Sequence, residues 1–149
     1  MTLAIRAARP GEEASLTDLA VRSKGHWGHD AAFLARARTG LTLRPEHLDR
    51  WIVRVAERDG VAVGVAAVDP GAAELELLFV EPVAIGTGVG RALLRDALEH
   101  ARAAGLSTLT IESDPDAEPF YRAHGAEPIG TRVSSATGRE LPLLRIATG

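Results

Sequence analysis

Three glycines at alternate positions, in Ile85-Gly86-Thr87-Gly88-Val89-Gly90, stand between a strand-like run and an amphipathic stretch, and no other feature limits the fold as tightly. Upstream, Glu74–Val80 (ELELLFV) reads as a strand. Downstream, Val89, Leu93, Ala97 and Ala101, with Leu94 and Leu98, form an apolar stripe at helical spacing, and Gly105 supplies the stop. A strand, a glycine-rich turn and a helix start together make an anion site. The first helical turn has free N–H groups, the positive dipole end points the same way, and glycine lets a ligand approach the backbone. Two common phosphate loops fail on spacing. A P-loop needs Lys-Ser or Lys-Thr after the last glycine, where Arg91-Ala92 stand. A dinucleotide fingerprint needs G-x-G-x-x-G and usually opens the first βα unit, whereas this loop reads G-x-G-x-G in mid-chain.

The rest of the chain supplies a sheet around this unit. Residues 2–7 predict a short first strand ended by Pro10-Gly11. A helix is expected over 12–22, with Leu16, Leu19 and Ala20 on one face, then a loop over 23–30 broken by Gly25 and Gly28. Asp30 is placed to cap a short helix over 31–37. Runs 50–58 and 61–68 are β-branched and separated by Asp59-Gly60, a two-residue hairpin signal, and Asp69-Pro70-Gly71 turns the chain into 74–80. These three strands predict an antiparallel meander. After the central helix come a strand over 107–112, a short helix over 117–124 closed by Gly125, and two strands over 127–133 and 140–146. The predicted order is β-α-α-β-β-β-α-β-α-β-β. It describes an α/β fold with a mixed, mostly antiparallel central sheet flanked by helices, and residues 1–149 read as one domain.

Composition removes several function classes. The chain has no cysteine, so disulfide scaffolds, cysteine nucleophiles and thiolate metal sites are excluded. Its longest uncharged stretches (60–68, 82–90 and 103–111) fall far short of the roughly 18 residues a membrane span needs. With no signal-peptide pattern, a cytoplasmic protein without a membrane partner is expected. The net charge is −3, and the 17 basic residues, all arginine except Lys24, are spread along the chain, which argues against nucleic-acid binding.

Two segments carry a family resemblance. Val80-Glu81-Pro82 followed by Ile85-Gly86-Thr87-Gly88-Val89-Gly90-Arg91-Ala92-Leu93-Leu94 resembles the acetyl-CoA pyrophosphate motif, Gln/Arg-x-x-Gly-x-Gly/Ala, of the GNAT-fold N-acetyltransferases. Asp114-Pro115-Asp116-Ala117-Glu118-Pro119-Phe120-Tyr121-Arg122-Ala123-His124-Gly125-Ala126 is similar to that family's Asn-Pro-x-Ala-x-x-Phe-Tyr-x-x-x-Gly-Phe segment. The resemblance covers residues 2 to 146. It implies a GNAT fold and transfer of an acetyl group from acetyl-CoA to an amine of a small molecule or peptide, by direct attack in a ternary complex. It implies cofactor contacts from Ile85, Gly86, Thr87, Gly88, Val89, Gly90, Arg91 and Asp114, and a pantetheine arm beside Phe79 and Val80. Ile85 stands where the family has Gln or Arg, and Asp114 where it has Asn. Neither change touches the backbone N–H groups that recognise the anion.

The resemblance also implies roles. Tyr121 matches the family's tyrosine that protonates the departing thiolate, the alternative being a core aromatic beside Phe120. Glu74 lies where the histone-acetylating branch has a glutamate base. Glu74, or failing it Glu76, is therefore expected to deprotonate the amine, the alternative being carboxylates at a wet strand edge. Strand period places Glu74 and Glu76 on one face with Leu78 and Val80. The strand's backbone is the expected oxyanion donor. His26 and Trp27, in the 23–30 loop, are expected to wall the acceptor side together with loop 134–139, although plain packing also accounts for them. His26 and His29 lack a third ligand, so no metal is expected. His124 reads as a helix cap, and His47 and His100 as solvated. A non-catalytic acyl-CoA-binding regulatory module is the alternative function, which retention of Tyr121 disfavours. Pairing of the C-terminal strands across a two-fold axis would give a homodimer.

Overall fold

Seven strands form one sheet in the order β1-β2-β3-β4-β5-β7-β6 in the computed structural model, which describes residues 2–149. In chain order the elements are β1 (Leu3–Ala7), α1 (Glu13–Gly25), α2 (Ala31–Leu41), α3 (Pro45–Arg50), β2 (Ile52–Arg58), β3 (Val61–Asp69), β4 (Glu74–Val80), α4 (Val89–Ala103), β5 (Thr108–Glu112), α5 (Glu118–Ala123), β6 (Glu127–Val133) and β7 (Glu140–Ala147). Every neighbouring pair is antiparallel except β4 and β5. The expected meander is present as β2-β3-β4. Its first turn has Asp59 at φ 55° and Gly60 at φ 79°, the positive values that a two-residue hairpin turn demands.

Each face of the sheet has its own core. On one, the α4 stripe of Val89, Leu93, Leu94, Ala97 and Ala101 packs against Ala66, Val68, Leu109, Ile111 and Leu144. On the other, Leu16, Leu19 and Ala20 of α1 cover Val53, Val55, Val65 and Leu77. Each fully buried leucine or valine contributes roughly 1.5–3 kcal/mol of hydrophobic stabilisation, before chain entropy opposes it. α4 comes close to β3 at Gly64, where a Cβ would lie 2.6 Å from Leu93 Cδ1.

Three boundaries differ from expectation. α1 continues through Ser23 and Lys24 to Gly25, because both side chains are buried on tertiary partners and Gly25 packs against Leu34. α2 does not stop near residue 37 but runs to Leu41, with Gly40 permitting contact with Ala136. Its start is as expected, with Asp30 accepting a hydrogen bond from the Phe33 N–H at 2.7 Å. The run at 50–58 starts as strand only at Ile52, since Pro45–Arg50 forms an unforeseen helix. His47, expected in solvent, stacks on Trp51 at 3.9 Å and accepts the Arg44 N–H through Nδ1 at 3.0 Å. Among the described residues, no helix is long and apolar enough to cross a membrane.

The close approach at Gly64 makes a stability prediction. Gly64→Ala should cost roughly 1–3 kcal/mol through overpacking, and Leu93→Ala roughly 2–5 kcal/mol through cavity formation. The double variant should lose less than the sum, because the new methyl enters the space that Leu93 leaves. Urea melts of the four proteins check this, and additive losses would refute the contact.

Candidate active site

The site begins with a fault in the sheet. β4 pairs with β3 along most of its length, but with β5 over two rungs only, Glu74 with Thr110 and Leu75 with Ile111. A bulge lies at the same place. Ala67 faces Leu77 and Val68 faces Leu75, so Glu76 has no partner on β3. An extra residue shifts the phase of the side chains beyond it. Leu75 packs in the α4-side core, Leu77 in the α1-side core, and Leu78 and Val80 return to the α4 side. The expectation that Glu74, Glu76, Leu78 and Val80 share one face is therefore corrected, because alternation breaks at Glu76.

Past the second rung the two strands part and a cleft opens. The Glu81 N–H bonds Val63 O on β3, while the Val80 N–H points the other way, to Ser23 Oγ at 3.3 Å. By alternation the Leu78 N–H also faces the open side, where β5 no longer offers an acceptor.

Two cavities meet at this opening. The first, about 450 Å3, is lined by Leu78, Phe79 and Val80 of β4, by the glycine loop, and by Phe120 and Tyr121 of α5. The second, about 370 Å3, lies between α2, β4 and residues 132–139. Glu76, Phe79, Glu112 and Asp114 line both.

The glycine loop is arranged as an anion cradle. Gly86 and Gly88 have φ of 82° and 90°, values that disfavour any side chain. The first helical bond runs from the Ala92 N–H to Gly88 O, which leaves the N–H groups of Val89, Gly90 and Arg91 without a helical partner. Ile85, Gly86, Gly88, Gly90 and Arg91 line the first cavity. Thr87 and Val89 do not. Thr87 Oγ1 donates to Ala84 O at 2.5 Å, and the Val89 side chain is fully buried in the core, so Val89 offers the cavity only its backbone.

The charged groups separate sharply by partner. Glu74 Oε1 accepts from Arg132 Nη1 at 2.8 Å, so this carboxylate is engaged. Glu76 has no cationic partner among the described residues. Burial, then the like charges of Glu74, Asp69 and Glu112, raise its pKa to about 7. Tyr121 is buried between the α4-side core and the first cavity, and its phenol is pushed upward by desolvation and by the charge of Asp114. The Asp114 carboxylate is held by Lys24 Nζ at 2.8 and 3.1 Å. Lys24, the lone lysine of the chain, is buried and ties the end of α1 to the β5–α5 loop. Sequence reasoning missed it, although an isolated lysine among arginines was a visible signal.

The acceptor-side expectations divide. Residues Ser134–Thr137 and Arg139 line the second cavity, joined by Ala37, Gly40 and Leu41 of α2. Trp27 lines the first cavity instead of the second. His26 is exposed, lies edge-on to Trp27 at 5.1 Å and lines neither cavity. Among the described residues no group of three or more His, Asp or Glu is placed to hold a metal ion.

Comparison with known proteins agrees with this geometry. An IAA acetyltransferase of Azospirillum brasilense is 43% identical over 63 residues, which is 40% of this chain and 41% of that protein. The N-alpha-acetyltransferase RimI of Mycobacterium tuberculosis is 34% identical over 84 residues, 52% of each. The aligned stretches thus span only about half, or less, of these curated relatives. A solved GCN5-related N-acetyltransferase from Rhodopseudomonas palustris matches with a TM-score of 0.82 over 99% of this chain and 96% of that one, at 22% identity, which is a likeness of fold. Residues 44–139, from α3 through the cleft to Arg139, match the model of the acetyltransferase (GNAT) domain, and the chain belongs to that family.

Proposed function

We propose that residues 1–149 act as one acetyl-CoA-dependent N-acetyltransferase domain, in which an amine of a small molecule or peptide attacks the thioester directly in a ternary complex. The observation that carries this reading is the position of Glu76. It is a carboxyl with a raised pKa and no cationic partner among the described residues, placed where a cavity edged by an anion cradle meets a second cavity. Membership of the family and the names of the relatives support it.

The roles follow from placement. The pyrophosphate rests on the backbone N–H groups of the glycine loop with Arg91 beside it, and the pantetheine arm extends along the open edge of β4. The Leu78 N–H supplies the oxyanion donor. As the amine nitrogen bonds to the carbonyl carbon, its proton passes to Glu76, directly or through a water, and the C–S bond then breaks. Glu74 was the first choice for the base on sequence, but its carboxylate is occupied by the ion pair with Arg132. Tyr121 faces the departing sulfur. Because burial lifts the phenol above its ordinary value near 10, complete transfer to a thiolate whose acid lies near 8.5 runs uphill. The hydroxyl therefore acts chiefly as a hydrogen-bond donor to the sulfur. Acetyl-CoA is an intracellular metabolite, so the reaction is proposed for the cytoplasm. Self-association is proposed through the exposed edge of β6, where Ile129 and Val133 face outward.

Three measurements test this. A general base must be ionised, so kcat should rise with pH through a midpoint near 7, where Glu76 titrates. Glu76→Gln should lower kcat roughly 10²-fold or more and abolish that acidic limb. Glu74→Gln should keep the limb and move it to lower pH, since a like charge is removed. A limb that survives Glu76→Gln would overturn the assignment. The same shift has a stability consequence. The folded pKa exceeds the ordinary 4.5, so wild type loses stability as pH rises from about 4.5 through about 7, and Glu76→Gln should melt above wild type at pH 8 with the gap closing toward pH 4.

Tyr121→Phe should lower kcat by roughly 10²-fold with little change in CoA affinity and no change in the midpoint of the pH profile. Near-normal turnover would reduce Tyr121 to packing. Gly88→Val, at φ 90°, should abolish the thermal shift produced by CoA, as circular dichroism confirms a folded protein. An unchanged shift would refute the placement of the pyrophosphate.

A further inference from the structure

Three cations line the second cavity, and two of them are committed within the protein. Lys24 is held by Asp114, and Arg132 Nη1 lies 2.8 Å from Glu74 Oε1 and 3.7 Å from Glu112 Oε2. Arg139 differs. Among the described residues no carboxylate lies within ion-pair distance of its guanidinium, and none of its side-chain N–H groups donates a hydrogen bond. Its guanidinium nitrogens reach solvent, so the donor fork is free to take a ligand.

The guanidinium is also held in place. Its Cζ stands 5.2 Å from the centre of the Phe33 ring on α2, and that ring stacks on His29 at 4.2 Å. The backbone of Arg139 closes the β6–β7 turn. The Ser134 N–H donates to Arg139 O at 2.7 Å, and the Gly138 N–H to Ser134 O at 2.8 Å. α2 meets this turn where Gly40 leaves room for Ala136, a Cβ at Gly40 coming within 3.3 Å of it. Arg139, part of the cavity wall, is thus held by two elements packed on each other before any ligand arrives.

We infer that the acceptor is an aminocarboxylate, a small primary amine that carries a carboxylate away from the reacting nitrogen. Its amine lies at Glu76, at the junction of the cavities, and its carboxylate takes the planar fork of Arg139 in a bidentate pair. A cavity of about 370 Å3 suits a molecule of that size. One uncommitted guanidinium balances one negative charge. The carboxylates of Glu74, Glu76, Glu112 and Asp114 on the β4 and β5 side penalise a second, which favours a carboxylate over a phosphate. This inference rests on the acetyl-transfer reading above and adds the class of acceptor to it.

The test uses paired acceptors, ω-aminocarboxylates of two to six carbons and their methyl esters, with wild type, Arg139→Ala and Arg139→Lys. Turnover is followed as CoA release, and binding as the thermal shift each compound produces on the CoA-bound protein. In wild type at least one carboxylate should exceed its ester roughly 10- to 100-fold in kcat/KM, mainly through KM. Arg139→Ala should collapse that ratio toward one, and Arg139→Lys should restore part of it. Binding that depends on both the carboxylate and Arg139 supports the anchor even without turnover, in which case the acetyl-transfer reading is what falls. Esters bound and acetylated as well as the carboxylates, or a preference that survives Arg139→Ala, would overturn the anchor and leave acetyl transfer standing.

Discussion

The parting of β4 from β5 after two rungs is the feature on which the rest of the site depends. An unpaired strand edge inside a sheet is costly, because its N–H and C=O groups have lost their partners without gaining water. Here the cost is contained. The bulge at Glu76 bends the strand where pairing ends, and Ser23 of α1 caps the Val80 N–H. α4 and α1 hold the strand from opposite faces through Leu78 and Leu77. The edge that remains is a template for an extended ligand, and it ends at the N-terminus of α4. A peptide-like arm bearing a phosphate at one end would satisfy both features at once.

How much of this was legible in the sequence depends on the range of the interaction responsible. β4, the glycine loop and α4 were readable because strand period, positive-φ glycines and helical stripes act over a few residues. The Asp59-Gly60 hairpin and the Asp30 cap were readable for the same reason. The bulge was not, since it is a relation between β3 and β4 and leaves no mark in ELELLFV. The last turn of α1 was hidden because its stability comes from Lys24 meeting Asp114, 90 positions away. Motif matching found the backbone of the glycine loop but not the direction of its side chains, and neither Thr87 nor the buried Val89 side chain lines the first cavity.

Two glutamates two positions apart illustrate how tertiary context divides identical chemistry. Glu74 meets Arg132 of β6, and the guanidinium keeps its charge neutralised in place. Glu76, displaced by the bulge, meets buried surface and other carboxylates, and is driven to about 7. Arg132 therefore does two things at a distance from Glu76. It occupies the Glu74 carboxylate, and it fixes a negative charge close enough to raise the neighbour. Neither role is visible from the residue types alone, since both depend on β6 lying two strands beyond β5 in the sheet.

The two halves of the cleft are built from different materials, and this explains what family membership transfers. The half beside the glycine loop is mostly backbone: N–H groups at the start of α4, glycines at positive φ, and the open edge of β4. Such a half survives extensive change of side chains, so Ile85 and Asp114 depart from the family pattern without disturbing the cradle. A TM-score of 0.82 at 22% identity is what a conserved backbone with exchanged side chains produces. The other half is made of side chains from α2 and residues 132–139, brought together by packing at Gly40 and Phe33. Nothing in the backbone requires arginine at 139 or phenylalanine at 33. In the proposed reaction such side chains, and not the backbone, would select the amine that reaches Glu76. In the proposed reaction the acceptor is therefore to be read from the charges and walls of the second cavity, because a fold shared at 22% identity carries its backbone and not those side chains.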